Sequence, residues 1–325
     1  MSGELPIASG VTTVVVIGAS GFIGEYLLKD LAARQDIEIR VLVHRTRAKS
    51  QANISFIEGD LLKPESLNAL LSKNCTVINL AYLAQNNLQA MTNLASACAN
   101  SQVRRLIHCS TAVVVGAGGG NSVTEKTPCL PTTEYQSIKL QIEATLLEMA
   151  AGKFEVSILR PTAVFGPGGQ NLLKLANQLM SGNMWVNYIR SCLFNRRSLN
   201  LVCVENVVAA LVFLLDAANV DREIFIISDD DVSMNNYRDV EASLLAAFGK
   251  SYRVPRVFIP GFVLGTILRS AGRLSTNPSV KFSGEKIVAL GLNKPKKLEV
   301  AINEFAGWYK KTCTIIPEQA CQRDM

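Results

Sequence analysis

The N-terminal half of the chain alternates short, continuously apolar runs with longer segments that are apolar on one side. Thr13–Ile17, Ile37–Val43, Ile54–Glu58, Thr76–Leu80, Arg105–Ser110 and Glu155–Leu159 read as strands. Between them, Phe22–Ala33, Pro64–Leu71, Leu88–Ser101 and Tyr135–Ala151 read as helices, with Pro64 at a first turn, where its missing N–H is harmless. Val/Ile/Leu strands without polar alternation, separated by helices, predict a parallel sheet covered on both faces. The helix at 135–151 is apolar on two sides. Ile138, Ile142 and Met149 lie on one, Leu140, Ala144 and Leu147 on the other. Such a helix needs two partners: the sheet, and either a second subunit or a further covering segment. Beyond Pro161 the pattern becomes irregular, and Gly166-Pro167-Gly168-Gly169 marks a boundary. The expected division is a first domain over residues 1–165, to which a helix at Val207–Leu215 returns, and a smaller α/β domain over 166–325.

The first strand runs into Gly18-Ala19-Ser20-Gly21-Phe22-Ile23-Gly24. Glycines spaced three apart between a strand and a helix form a dinucleotide-binding fingerprint. Gly18 permits the tight turn, Gly21 lets a pyrophosphate approach the backbone, and Gly24 lets the helix pack on the strand. The helix start aims N–H groups and a positive dipole end at the phosphates. This context specifies a Rossmann-type, doubly wound α/β fold.

Composition narrows the alternatives. The chain has 325 residues, 48% of them hydrophobic, which is ample for a large core. The net charge of +6 is scattered, so no basic stripe suggests nucleic acid. Only two histidines, His44 and His108, are present, and none of the eight cysteines forms a C-x-x-C pair, so a metal site is not expected. No apolar run reaches the roughly 20 residues of a membrane span, and Val257–Leu268 is short and interrupted by Pro260 and Gly261. The expected compartment is the cytoplasm.

Tyr135 and Lys139 stand four apart on a helix and share one face. A lysine cation beside a phenol favours the phenolate, and a tyrosine so tuned exchanges a proton with a hydroxyl or carbonyl. Ser110-Thr111 ends a strand, and in open parallel sheets ligands bind beyond the carboxyl ends of strands. A hydroxyl there could hold a reacting oxygen, or simply cap its own turn.

With these motifs in order, the chain resembles the extended short-chain dehydrogenase/reductase superfamily, the NAD-dependent epimerase/dehydratase group, over nearly its whole length. Gly59-Asp60-Leu61 resembles the family's adenine-contacting turn, and Asn79-Leu80-Ala81 the segment that lies along the cofactor. Ser110-Thr111-Ala112-Val113-Val114-Val115-Gly116 resembles the active-site segment. Arg160 to Gly168 resembles the stretch whose backbone, from Pro161 to Val164, flanks the nicotinamide. The resemblance implies that Thr111, Tyr135 and Lys139 are catalytic. It also implies that Gly18, Ser20, Gly21, Phe22, Ile23, Gly24, Asp60, Leu61, Leu80, Ala81, Tyr135, Lys139, Pro161 and Val164 hold the cofactor.

After the second strand the chain reads Val43-His44-Arg45-Thr46-Arg47, with no carboxylate for a ribose 2′-hydroxyl. Arg45 or Arg47 could pair with a 2′-phosphate, or the arginines could form a solvated surface turn; with His44 and Arg45 taken as cofactor contacts, NADP is preferred to NAD. Thr111 lacks the Asp-Glu pair that sugar dehydratases of the family carry after it, which disfavours water elimination. Three readings follow. The first is a nucleotide-sugar 4-epimerase or 4-keto reductase, with Ser110, Thr111, Arg190, Arg196 and Arg197 at the substrate, acting as a homodimer. The second is an NADPH-dependent reductase of a non-nucleotide ketone, because Leu199 falls where a diphosphate-clamping arginine is expected. The third is a non-catalytic NADP-binding regulator.

Overall fold

A computed structural model describes residues 12–44, 53–118, 120–257, 266 and 277–313 of the chain. The first strand and helix are β1 (Thr12–Ile17) and α1 (Phe22–Ala32), followed by β2 (Ile37–Val43), β3 (Ile54–Glu58) and β4 (Thr76–Asn79). Next come α2 (Asn87–Asn100), β5 (Arg105–Cys109), β6 (Ser122–Val123), α3 (Glu134–Ala150), β7 (Glu155–Pro161) and β8 (Ala163–Phe165). The remainder comprises α4 (Leu173–Ser181), α5 (Met184–Phe194), β9 (Leu201–Cys203), α6 (Val204–Asp216), β10 (Glu223–Ile227), α7 (Tyr237–Ala247), β11 (Lys281–Phe282), α8 (Glu285–Ala289) and α9 (Leu298–Cys313).

Seven strands form one sheet in the order β10-β7-β5-β4-β1-β2-β3. β1 pairs in parallel with both β2 and β4, β2 with β3, and β4 with β5. Val14 to Ile17 of β1 are buried throughout, as a strand covered on both faces requires. Strand order reverses at β1, which puts the topological switch point between the ends of β1 and β4.

One expected helix is cut short. Pro64–Leu71 folds only as a single 3-10 turn, Pro64–Leu67. Ser66 Oγ accepts from the Asp60 N–H and lies within hydrogen-bond reach of the Asp60 and Lys63 carbonyls, so local side-chain bonds compete with helix propagation.

The chain gathers into two compact units. The first holds Met1–Cys109, Gln141–Ile158 and Leu214–Glu223, and the second Ser110–Leu140, Leu159–Phe213 and Ile224–Met325. In the first, buried Arg105 bonds Glu155 at 2.6 Å and donates to the carbonyls of Leu214 and Leu215 at 2.6 and 3.2 Å. A guanidinium thereby satisfies the carbonyl end of α6, which fits the helix dipole. In the second, α4, α7 and α9 enclose a core that includes Phe165, Leu179, Leu244, Ile302 and Phe305.

Beside that core lies a buried polar network. Asp229 accepts from the Asn206 side-chain amide at 3.1 Å and from the Cys203 N–H at 3.3 Å, and pairs with Lys294 at 3.1 Å. Asp230 accepts from Asn200 at 2.6 Å, from the Phe282 N–H at 2.8 Å and from Asn235 at 2.9 Å. Burial pushes the Asp229 carboxyl above the usual carboxylate range, and the Lys294 ammonium pulls it part of the way back. The neighbouring Cys203 thiol is pushed up to about 12, chiefly by burial with Asp229 adding repulsion, so it packs as a small hydrophobe.

Candidate active site

In the first unit the switch point is built from backbone. Gly18 has φ +82°, and a Cβ there would lie 2.8 Å from the Ala81 nitrogen and 2.9 Å from the Leu80 carbonyl carbon. Glycine is thus required twice, by conformation and by close approach. A Cβ on Gly24 would come within 2.5 Å of the Gly18 oxygen and 2.6 Å of Ala19, so Gly24 lets α1 start against the turn. Gly21 differs. Its φ is −81°, and the nearest atom to a Cβ is the Gly18 oxygen at 3.4 Å, an ordinary contact. Nothing in the described protein around Gly21 demands a missing side chain. The opening over Gly21 suits a group that must touch backbone, and no side chain caps the start of α1 at Phe22 and Ile23. A diphosphate fits that donor set.

The opposite wall is held by a residue outside the expected set. The Ala81 N–H donates to Asn79 Oδ1 at 3.1 Å, which turns the Asn79 amide nitrogen toward His108 Nδ1, at 3.1 Å, and Met91 Sδ, at 3.0 Å. His108 Nδ1 therefore accepts, and the ring proton sits on Nε2. The Leu80 N–H donates to the Ile17 carbonyl at 2.9 Å, locking Leu80 and Ala81 against the glycine turn. A lone histidine and an asparagine give little sequence signal, since only strand pairing brings them together: Asn79 and His108 are register partners in β4 and β5.

Asp60 Oδ1 accepts from the Leu62 N–H at 2.9 Å, while Oδ2 lies 3.6 Å from His44 Nε2. The Leu61 carbonyl accepts from Asn93 at 2.9 Å, which ties the turn to α2. Ser20 lies exposed beside the glycine turn. Arg45, and with it Arg47, falls outside the described residues.

In the second unit, Ser110 and Thr111 leave the end of β5. Thr111 caps a 3-10 turn, its Oγ1 accepting from the Val113 N–H at 3.4 Å. That contact uses one lone pair and leaves the hydroxyl proton to be donated elsewhere. Ser110 Oγ is buried and has no hydrogen-bond partner among the described residues. Tyr135 opens α3 at 43% exposure, and Lys139, one turn on, is 4% exposed. The phenol is thus accessible to a proton partner, while the ammonium one turn away on the same helix is withdrawn from solvent. Pro161 ends β7 and Val164 lies in β8, paired with Val202 of β9. Among the arginines, Arg196 is exposed, Arg197 lies over the Phe194 ring at 5.6 Å, and Arg190 faces the Tyr237 phenol, whose pKa is raised by burial first, then by Glu241, while Arg190 lowers it.

Comparison with known proteins gives this geometry its context. The chain matches the NAD dependent epimerase/dehydratase family over residues 14–228. It belongs to that family. A UDP-glucose 4-epimerase of Vibrio cholerae is 27% identical over 241 residues, 68% of this chain and 72% of the relative. An N-acetyl-α-D-glucosaminyl-diphospho-ditrans,octacis-undecaprenol 4-epimerase of Escherichia coli O157:H7 is 26% identical over 94% of this chain and 99% of the relative. The Bordetella bronchiseptica enzyme WbmG, solved in complex with NAD, superposes with a TM-score of 0.70 at 19% identity, covering 95% of this chain and 97% of its own, which establishes the fold. This family member is an enzyme with a Rossmann-type fold.

Proposed function

We propose that the protein is an NAD(P)-dependent epimerase or 4-keto reductase acting by hydride transfer on a nucleotide-sugar. The observation that carries the cofactor half of this reading is Gly21, where glycine serves no described contact of the fold and leaves backbone open to a diphosphate. When bound, the nicotinamide supplies or accepts the hydride. Tyr135 then exchanges the proton of the substrate oxygen, Lys139 favours the phenolate and hydrogen-bonds ribose, and the Thr111 hydroxyl orients the same oxygen. Leu80, Ala81, Pro161 and Val164 contribute backbone walls, and Asp60 and Leu61 the adenine end. Ser110 and Arg190, Arg196 and Arg197 serve the substrate. The His44-Arg45 turn, which carries no acid, favours NADP over NAD. The enzyme works as a homodimer in the cytoplasm.

Leu199 favours a second reading, reduction of a non-nucleotide ketone, because it stands where a diphosphate clamp is expected. Titration with NADPH, NADH and a panel of nucleotide-sugars separates the two. Tight NADPH binding with no nucleotide-sugar response selects the second. Copurified NAD with UDP-sugar binding selects the epimerase and overturns the NADP preference. Tyr135→Phe should lower turnover about 10²- to 10⁴-fold with an unchanged cofactor Kd. Full activity in that variant would reject the catalytic assignment.

A further inference from the structure

Helix α5 turns apolar side chains outward. Trp185 is 68% exposed and Ile189 60%, with Val186 beside them, and Val257 on the adjoining segment is 62% exposed. Large apolar groups clustered at a surface mark an interaction site rather than scatter. These are mounted rigidly. The Trp185 ring meets Tyr188 edge-on at 6.2 Å, and Tyr188 meets Tyr252 at 5.6 Å. The Tyr188 hydroxyl donates to the Pro255 carbonyl at 2.8 Å, and that of Tyr252 to Glu241 at 2.7 Å. Glu241 is fully buried and also accepts from Ser191 and Arg256. A pocket of about 310 Å³ opens between Met184, Trp185, Tyr188 and the 251–254 segment, with Arg253 in its wall.

Charge says what covers this face. No Asp or Glu occurs between Glu155 and Glu205, a stretch whose cations outside the core are Lys174, Arg190, Arg196 and Arg197. None occurs between Glu241 and Glu285 either, where Lys250, Arg253 and Arg256 stand. Both pieces of the face come from these acid-free stretches, although the whole chain carries 27 acidic residues. Two copies of such a face set against each other would oppose like charges. Tryptophan and aliphatic tips with Arg253 in the adjoining pocket wall suit the boundary between anionic headgroups and acyl chains.

We propose that the α5 face, Trp185, Val186 and Ile189 with Val254, Val257 and Arg253, seats the protein on an anionic lipid bilayer. Among the described residues no helix is long and apolar enough to cross a membrane, so the contact is peripheral. The inference is independent of the substrate proposed above, and its test does not read turnover.

The test is sedimentation of the full-length protein with phosphatidylcholine vesicles and with vesicles containing phosphatidylglycerol, alongside tryptophan fluorescence. Binding to the anionic vesicles alone is expected, with a blue-shifted emission and weakening in high salt. Trp185→Ser/Ile189→Ser should partition about tenfold more weakly for the loss of two inserted apolar side chains, with unchanged cofactor affinity. Arg253→Glu should weaken binding to anionic vesicles while leaving the melting temperature unchanged. The proposal falls if neither vesicle binds, if the double variant binds as well as the parent, or if the face proves to be covered by a second copy, seen as a sedimentation mass that drops to one chain in the double variant.

Discussion

At the residue scale the three glycines of one motif carry different burdens. Gly18 and Gly24 answer to the protein's own backbone, whereas Gly21 does not. Gly18→Ala should cost about 2 kcal/mol or more in stability, since it combines a left-handed residue with overlap on Ala81. Gly21→Ala should melt within a few degrees of the parent yet bind cofactor at least about tenfold more weakly, because the added methyl would stand where the proposed cofactor's diphosphate meets backbone. Thermal melts and cofactor titration on the same two proteins check the pair. Equal destabilisation by both would place the demand for glycine at 21 in the fold instead. The spacing makes all three glycines visible in the sequence, but only the distances around each Cβ assign their tasks.

At the scale of elements, the Asp229 network joins β9, α6 and the segment around Lys294 through buried charge. The folded-state pKa of Asp229 is raised above its unfolded value. Its contribution to stability is therefore greatest below the unfolded pKa and declines as pH rises through the folded one. Lys294 offsets part of that decline. Lys294→Met should destabilise by about 2–3 kcal/mol at pH 8 by leaving a buried carboxylate without its cation. The deficit should shrink as pH falls from there, because Asp229, whose pKa is raised, takes up a proton before an ordinary carboxylate does. Melting curves of both proteins across that range test the sign; a deficit that does not change with pH would mean the lost stability is packing alone. Of the strands, β1 and β4 were legible as nearly continuous apolar runs and β2 by its buried Ile37, Ile39 and Val41, and α3 because its apolar positions repeat helically. The single turn at Pro64–Leu67 was not, since the bonds of Ser66 are set by how the Gly59–Asp60 turn folds back.

At the scale of the molecule, the two-sided helix α3 bears on assembly. Ile142, Leu146 and Ala150 are buried, Leu140 and Leu147 half-buried, and Ala144 exposed. A homodimer through the second side predicts a sedimentation mass twice the 35.3 kDa of one chain, and a monomer for Ala144→Arg with its melting temperature preserved. A parent that sediments as one chain rejects the dimer. The chain passes repeatedly between its two compact units, at 109–110, 140–141, 158–159, 213–214 and 223–224. By itself the sequence determined the strand and helix order up to about residue 165, the glycine turn and the Tyr135–Lys139 pair, because each is written in local spacing and periodicity. Only the tertiary structure decided that Asn79 and His108 hold the backbone at Ala81 beside the glycine turn, that Asp229 meets Lys294, and that Glu241 braces an exposed aromatic face. Those groups lie far apart along the chain, and strand register and helix packing alone bring them within hydrogen-bond distance.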